Sequence, residues 1–239
     1  MTKPRYWLVI PAAGIGQRMN SDCPKQYLRI HDRFIVDIVL SRLLDGLTFD
    51  GCMVALHRDD RWWSTTASQC DPRVQVCEGS SERHLSVLVA LQALAEQAGE
   101  DDWVLVHDVA RPCISCEDVQ NLMTTLALDP VGGLLAAPVT DTLKRVTGSD
   151  HRVSETVDRG RLWRALTPQM FRFGALRAAI ESVVRAGVSI TDDASAMEYI
   201  GAVPQLVKGR SDNIKITVPS DLALAAFLLD GASVERKPK

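Results

Sequence analysis

The chain has 239 residues, is 46% hydrophobic and 24% charged, and carries a net charge of -3 at pH 7. This is ordinary globular composition, with enough chain to bury the core of one large α/β domain or two small ones. It excludes a global basic field for nucleic acid, and no apolar run reaches the roughly 18 residues that cross a bilayer. The expected partners include neither nucleic acid nor membrane. Met1-Thr2-Lys3-Pro4-Arg5 is basic, but the apolar run behind it ends at Pro11, too short for a secretory signal, so a cytoplasmic location is expected.

The first strand is expected at Tyr6–Ile10. It runs into the stretch PAAGIGQRMNSDCPKQ, Pro11 to Gln26. A helix over Phe34–Leu44 aligns Ile35, Ile38, Val39 and Leu43 on one face. Strands follow at Cys52–Leu56 and Val74–Cys77, then a helix over Leu85–Ala98 and a strand at Trp103–His107. Cys113-Ile-Ser-Cys116 has the spacing of redox and zinc sites, but no second ligand pair accompanies it. It reads as a turn, with thiols kept reduced in a cytosol. Ser115-Cys-Glu-Asp118 resembles a capping box opening a helix through Leu128. A strand at Leu134–Pro138 continues the alternation. The pattern specifies an α/β fold: a Rossmann-like, mostly parallel sheet with helices on both faces. Ligands of such sheets bind at the carboxyl ends of the strands.

The segment from Val139 to Arg159 breaks the rhythm. It is polar and β-branched, with a turn signal at Gly148-Ser149-Asp150, and reads as a protruding β-hairpin arm over about 139–160. A polar hairpin is marginal alone, so the arm is expected to pack on the domain or on a partner subunit. Helices are then expected at Phe173–Ala186, Asp192–Ile200 and Pro219–Leu229, with short strands at Pro204–Val207 and Asn213–Thr217. No linker divides the chain, so residues 1–239 are expected to form one domain with an arm.

The glycine loop fits neither common phosphate-loop pattern. Gly14-Ile15-Gly16-Gln17-Arg18 is followed by Met19, so the third glycine of a dinucleotide fingerprint is absent, and the lysine of a P-loop is absent too. The loop does have small residues and two cations, Arg18 and Lys25. Small residues let backbone N–H groups approach anionic oxygens, and cations add charge. That suits a nucleoside triphosphate; a solvated turn with two surface cations is the other reading.

Pro11-Ala-Ala-Gly-x-Gly-x-Arg18-Met19 followed by Pro24-Lys25-Gln26-Tyr27 resembles the signature of the sugar-nucleotidyltransferase superfamily. Within it, the chain is most similar to the 2-C-methyl-D-erythritol 4-phosphate cytidylyltransferase family. Further motifs follow in family order and cover nearly the whole chain: Glu82-Arg83 with Ser86, Val106-His-Asp108-x-Ala-Arg111-Pro112, Ala137-Pro138-Val139-x-Asp141-Thr142-x-Lys144, Thr156-Val-Asp-Arg159, Thr167-Pro-Gln169, Thr191-Asp192-x-Ala-Ser195 and Asp212-Asn-Ile-Lys215-x-Thr217.

The resemblance implies a homodimeric, Mg²⁺-dependent transferase that joins CTP to 2-C-methyl-D-erythritol 4-phosphate in the non-mevalonate isoprenoid pathway. It implies catalytic roles for Arg18, Lys25, Arg159 and Lys215. Nucleotide binding falls to Pro11, Ala12, Ala13, Gly14, Gly16, Gly79, Ser80 and Ser86. Acceptor binding falls to Asp108, Arg111, Thr142, Arg159 and Lys215, with Asp108 also the metal ligand. Arg159 and Thr142 sit on the arm and are expected to reach the neighbouring subunit's site. The loop Glu78-Gly79-Ser80-Ser81 departs from the usual family text, and Ser80 or Ser81 could equally be a helix N-cap. A ribitol 5-phosphate cytidylyltransferase is the nearest alternative. An NAD-linked oxidoreductase and a non-catalytic dimer are the readings from other classes.

Overall fold

The computed structural model describes residues 4–14 and 23–234. In chain order the strands are β1 (Tyr6–Ala12), β2 (Arg29–Ile30), β3 (Arg33–Phe34), β4 (Gly51–Leu56), β5 (Val74–Glu78), β6 (Trp103–Val106), β7 (Gly132–Pro138), β8 (Leu143–Thr147), β9 (Arg152–Val157), β10 (Trp163–Arg172) and β11 (Gln205–Lys208). The helices are α1 (Ile35–Gly46), α2 (Arg83–Leu94), α3 (Cys116–Leu126), α4 (Phe173–Ala186), α5 (Asp193–Tyr199) and α6 (Pro219–Val234). Seven strands form one sheet in the order β11-β7-β10-β6-β1-β4-β5. β1 runs parallel to β4 and β6, β4 to β5, and β7 to β11. Only β10 is antiparallel to its neighbours.

The strand β1 shows how sequence dictates the layers. Its side chains alternate between faces. Leu8, Ile10 and Ala12 join a core with α1 and α3, while Trp7 and Val9 join a second core with α2 and α4. Both faces are covered, so the strand reads as a continuous apolar run instead of alternating with polar residues. Burying each of Leu8, Val9 and Ile10 contributes roughly 1.5–3 kcal/mol. Helix ends follow local chemistry. Asp192 and Ser195 form a reciprocal capping box at the start of α5. The Ser115 side chain accepts from the Asp118 amide to open α3. Gly187 closes α4 with φ 65°, a left-handed position that favours glycine.

Two expectations change. The ten-residue strand β10 is absent from the expected elements, and it contains Pro168, a residue disfavoured inside a sheet. The structure accommodates it with a register shift between Ala165 and Gln169, so the proline sits where β10 leaves the ladder. Conversely, Asn213–Thr217 is not a strand. Its polar groups are met singly: Asn213 Nδ2 donates to the Thr167 carbonyl at 2.8 Å, and the Ile216 amide to the Ala110 carbonyl at 2.8 Å. The arm does form as a hairpin of β8 and β9, and nearly all of it is exposed. Cys116 begins α3, and its thiol contacts the Arg42 carbonyl at 3.1 Å. Among the described residues, no three His, Cys, Asp or Glu side chains converge as a metal cluster, and no helix is long and apolar enough to cross a membrane.

Candidate active site

The order of the sheet reverses at β1: the chain steps outward through β4 and β5 on one side and continues through β6 on the other. A crevice opens at the carboxyl ends of the strands flanking such a switch point. Here it is lined by Pro11, Ala12, Ala13 and Gly14 at the end of β1, by Ser80–Arg83 after β5, and by Asp108–Ala110 after β6. Lys25, Gln26, Ser86 and Lys215 complete the lining. Residues expected from five separate segments therefore share one cleft. Arg18 and Gly16 lie outside the described residues.

Specific contacts hold each wall in place. The Gln26 side-chain amide donates to the Ala12 carbonyl at 2.7 Å and ties the end of the glycine loop back to β1. Tyr27, beside it, donates to Asp60 at 2.6 Å and stacks on Trp62, so Lys25 is carried on an anchored turn. Gly79 does not line the cleft but lets two walls meet. A Cβ there would stand 2.7 Å from the Ala13 Cβ and 3.2 Å from the Ala55 Cβ. The Ser86 hydroxyl accepts from the Ser80 amide at 2.9 Å and faces the Ser80 and Glu82 carbonyls at 3.1 Å. It thus holds the Gly79–Glu82 loop. The N-cap position of α2 is Glu82, so neither Ser80 nor Ser81 caps that helix.

Asp108 is the electrostatic centre. Its Oδ1 accepts from Arg83 Nε at 2.7 Å and its Oδ2 lies 2.7 Å from Lys215 Nζ. Burial alone would raise this carboxyl, but Arg83 and Lys215 outweigh it and hold it well below the usual carboxylate range. Arg83 also grips Asp193 through both Nη atoms, at 3.0 and 2.8 Å. Arg111 does not line the cleft. It is a half-buried strut that donates to the Asn213 carbonyl at 2.7 Å, holding the segment that carries Lys215, with Nε 3.7 Å from Asp108.

His107 fixes the backbone behind Asp108. It is fully buried, and its Nε2 lies 3.1 Å from the Arg111 carbonyl, so this nitrogen carries the proton. Nδ1 must then accept from the Thr167 hydroxyl at 3.0 Å, which in turn accepts from the Asp108 amide at 3.1 Å. Burial pushes the imidazole down to about 4, against the opposing pull of Asp108. It stays neutral, as this hydrogen-bond chain requires. His107 and Thr167 stood inside recognised motifs, but sequence gave no sign of their roles beyond a polar residue at the end of an apolar strand. Thr142 and Arg159 do not line this cleft. Both are exposed on the arm, where Arg159 donates to the Thr140 carbonyl.

A mostly parallel α/β sheet with small residues and lysines converging at its switch point suits the phosphates of a nucleotide. The family model for 2-C-methyl-D-erythritol 4-phosphate cytidylyltransferase (IspD) matches residues 6–231, and the chain belongs to this family. It is 54% identical to the 2-C-methyl-D-erythritol 4-phosphate cytidylyltransferase of Ectopseudomonas mendocina over 92% of this chain and 93% of the relative. Its fold is similar to a crystal structure of 4-diphosphocytidyl-2C-methyl-D-erythritol synthase, with TM-score 0.82 and 34% identity over 96% of this chain and 100% of that one. The cytidylyltransferase structure from Francisella tularensis is similar with TM-score 0.81 and 34% identity, over 94% and 99% of the two chains.

Proposed function

We propose that this chain transfers the cytidylyl group of CTP to 2-C-methyl-D-erythritol 4-phosphate, giving 4-diphosphocytidyl-2-C-methyl-D-erythritol and pyrophosphate for isoprenoid biosynthesis. The carrying observation is one cleft in which backbone of small residues faces lysines from two distant segments, Lys25 and Lys215. An acceptor phosphate oxygen attacks the α-phosphorus. The bond to the bridging oxygen breaks, and its electron pair leaves with pyrophosphate. Both reactants are anions, so holding them in line and offsetting their charge is the main task.

Pro11–Gly14, with Gly16, Ser80 and Ser86, would receive the nucleotide, and Gly79 would serve it from behind by letting the Ala13 and Ser86 walls close up. Arg18 and Lys25 would stabilise the charge developing at the α-phosphate. Lys215 would leave Asp108 for the acceptor phosphate. Asp108 and Glu82 are carboxylates of the cleft, and Mg²⁺ needs few protein ligands when phosphates supply the others. Asp108 fits as its protein ligand, and the ion when bound would neutralise charge on the triphosphate. Arg111 acts on the acceptor side through the Asn213 segment.

Thr142 and Arg159 complete the site from a second subunit. Their exposure on a solvated arm supports this: among the described residues, neither lines the cleft of its own chain. The acting unit is a homodimer in which the 139–160 arm of each nucleotidyltransferase domain, 1–239, reaches its neighbour. Its phosphorylated small-molecule substrates suit a cytoplasmic enzyme. Pyrophosphate release, measured with CTP against other triphosphates and with methylerythritol phosphate against ribitol 5-phosphate, tests the reading. Faster turnover of ribitol 5-phosphate would transfer the assignment to that polyol.

A further inference from the structure

Four charges alternate across the cleft wall: Asp193, Arg83, Asp108 and Lys215. Only three of them line the cleft. Asp193, at the start of α5, is fully buried and makes no part of the lining. Its two carboxylate oxygens take both Nη atoms of Arg83, and the guanidinium turns its remaining Nε toward Asp108. A guanidinium is a planar fork, so a bidentate grip on one edge fixes where the third N–H points. Asp193 itself is held by its helix. Gln169 on β10 accepts from the next amide, Ala194, at 2.7 Å and donates to Asp192 at 2.9 Å.

From this geometry we infer that Asp193 is a positioning residue for phosphate transfer, acting through Arg83 and Asp108 on Lys215. The inference rests on the proposed role of Lys215. Asp108 has two cationic partners of unequal grip. Arg83 is pinned from behind, and 23% of its side chain is exposed. Lys215 is a point charge on a flexible stem, with 40% of its side chain exposed. When an anionic acceptor enters, one of them must turn from Asp108 to the phosphate. Asp193 makes Arg83 the partner that stays and Lys215 the partner that moves. Without it, a desolvated guanidinium has no opposing charge behind it and swings toward the incoming phosphates. Asp108 is then left to keep Lys215.

The test is steady-state kinetics on Asp193→Asn, Lys215→Ala and the double variant, with thermal melts to confirm folding. Asp193→Asn should lower kcat by about 10²-fold, the scale of a misplaced reacting group. In the Lys215→Ala background the same change should cost about threefold or less, because the two act as one unit. Asp193→Glu, which keeps the charge, should recover most of the loss. Arg83→Lys, which keeps charge but loses the fork, should reproduce it and serves if Asp193→Asn fails to fold. Independent, multiplying losses from Asp193→Asn and Lys215→Ala would overturn the relay while leaving the proposed reaction intact. Wild-type turnover in Lys215→Ala would overturn the assignment of Lys215 and the relay with it.

Discussion

Arg83 in the cleft wall and Arg145 in the arm each face a carboxylate at bonding distance, yet 23% of the first side chain is exposed against 64% of the second. The pairs look alike on paper and differ in what they do. Breaking a buried pair strands a desolvated charge and costs about 3–5 kcal/mol, whereas an exposed pair is worth roughly 0–1 kcal/mol. In the cleft, the ionic contacts have desolvated surroundings and fix side chains for chemistry. In the arm, they decorate a hairpin that water already satisfies. Arg159 belongs with the arm by exposure, and its contact on its own chain is the Thr140 carbonyl.

That contrast can be broken at four points. Lys25→Ala should lower turnover by about 10²–10³-fold with little change in melting temperature, the scale of one charge-stabilising donor. Pyrophosphate release at saturating substrates measures it, and a near-normal rate would remove Lys25 from the chemistry. Next is His107, which burial keeps neutral down to about pH 4. The unfolded chain takes up that proton near pH 6.5, so the stability tied to neutral His107 is complete above pH 6.5. It is lost as pH falls toward 4, by about 3 kcal/mol over the window. His107→Gln cannot titrate. The gap in urea stability between wild type and variant should therefore shrink from pH 7 to pH 4.5, and a constant gap would contradict a buried neutral ring.

The arm predictions are smaller for stability and specific for assembly. Arg159→Ala should lower activity by about 10–10²-fold, as expected for lost hydrogen bonds to a charged group, with no change in melting. Mixed dimers of Arg159→Ala with Lys25→Ala should regain activity, since one of their two sites is intact. Inactive mixed dimers, confirmed by mass, would end the idea of shared sites. Arg145→Ala should change unfolding free energy by less than about 0.5 kcal/mol, because its partner Glu155 is exposed too.

Much of the fold was legible because burial on both faces leaves a plain trace. The apolar run Tyr6–Ile10 could only be a covered strand, and Ile35, Ile38, Val39 and Leu43 could only share a helix face; all four are buried on α1. The cleft residues were legible through their motifs, in which Pro11–Gly14, Lys25, Ser86, Asp108 and Lys215 carry the resemblance. What stayed hidden was long-range. β10 carries Pro168 at a register shift, which no local signal announces. Asn213–Thr217 looked like a strand by its alternation, but its partners lie on β10 and in the Asp108–Arg111 turn. Arg83 and Asp193 stand 110 positions apart, and nothing in either neighbourhood predicts that they meet.

The arm is joined to the sheet by two short connections. β7 and β10 pair up to Pro138 and Trp163, the Val139 amide donates to the Leu162 carbonyl at 3.0 Å, and the hairpin of β8 and β9 follows within a few residues. It is a mast stepped into the sheet, not a flag on a cord. Its reach is quantised by the strand rise, about 3.4 Å per residue, and its facing by the period of two. Lengthening both of its strands by two residues would extend the mast and keep its orientation. One residue would turn every side chain to the opposite side. The distance from the sheet to the tip of the arm is thereby a property of strand register, adjustable only in whole steps.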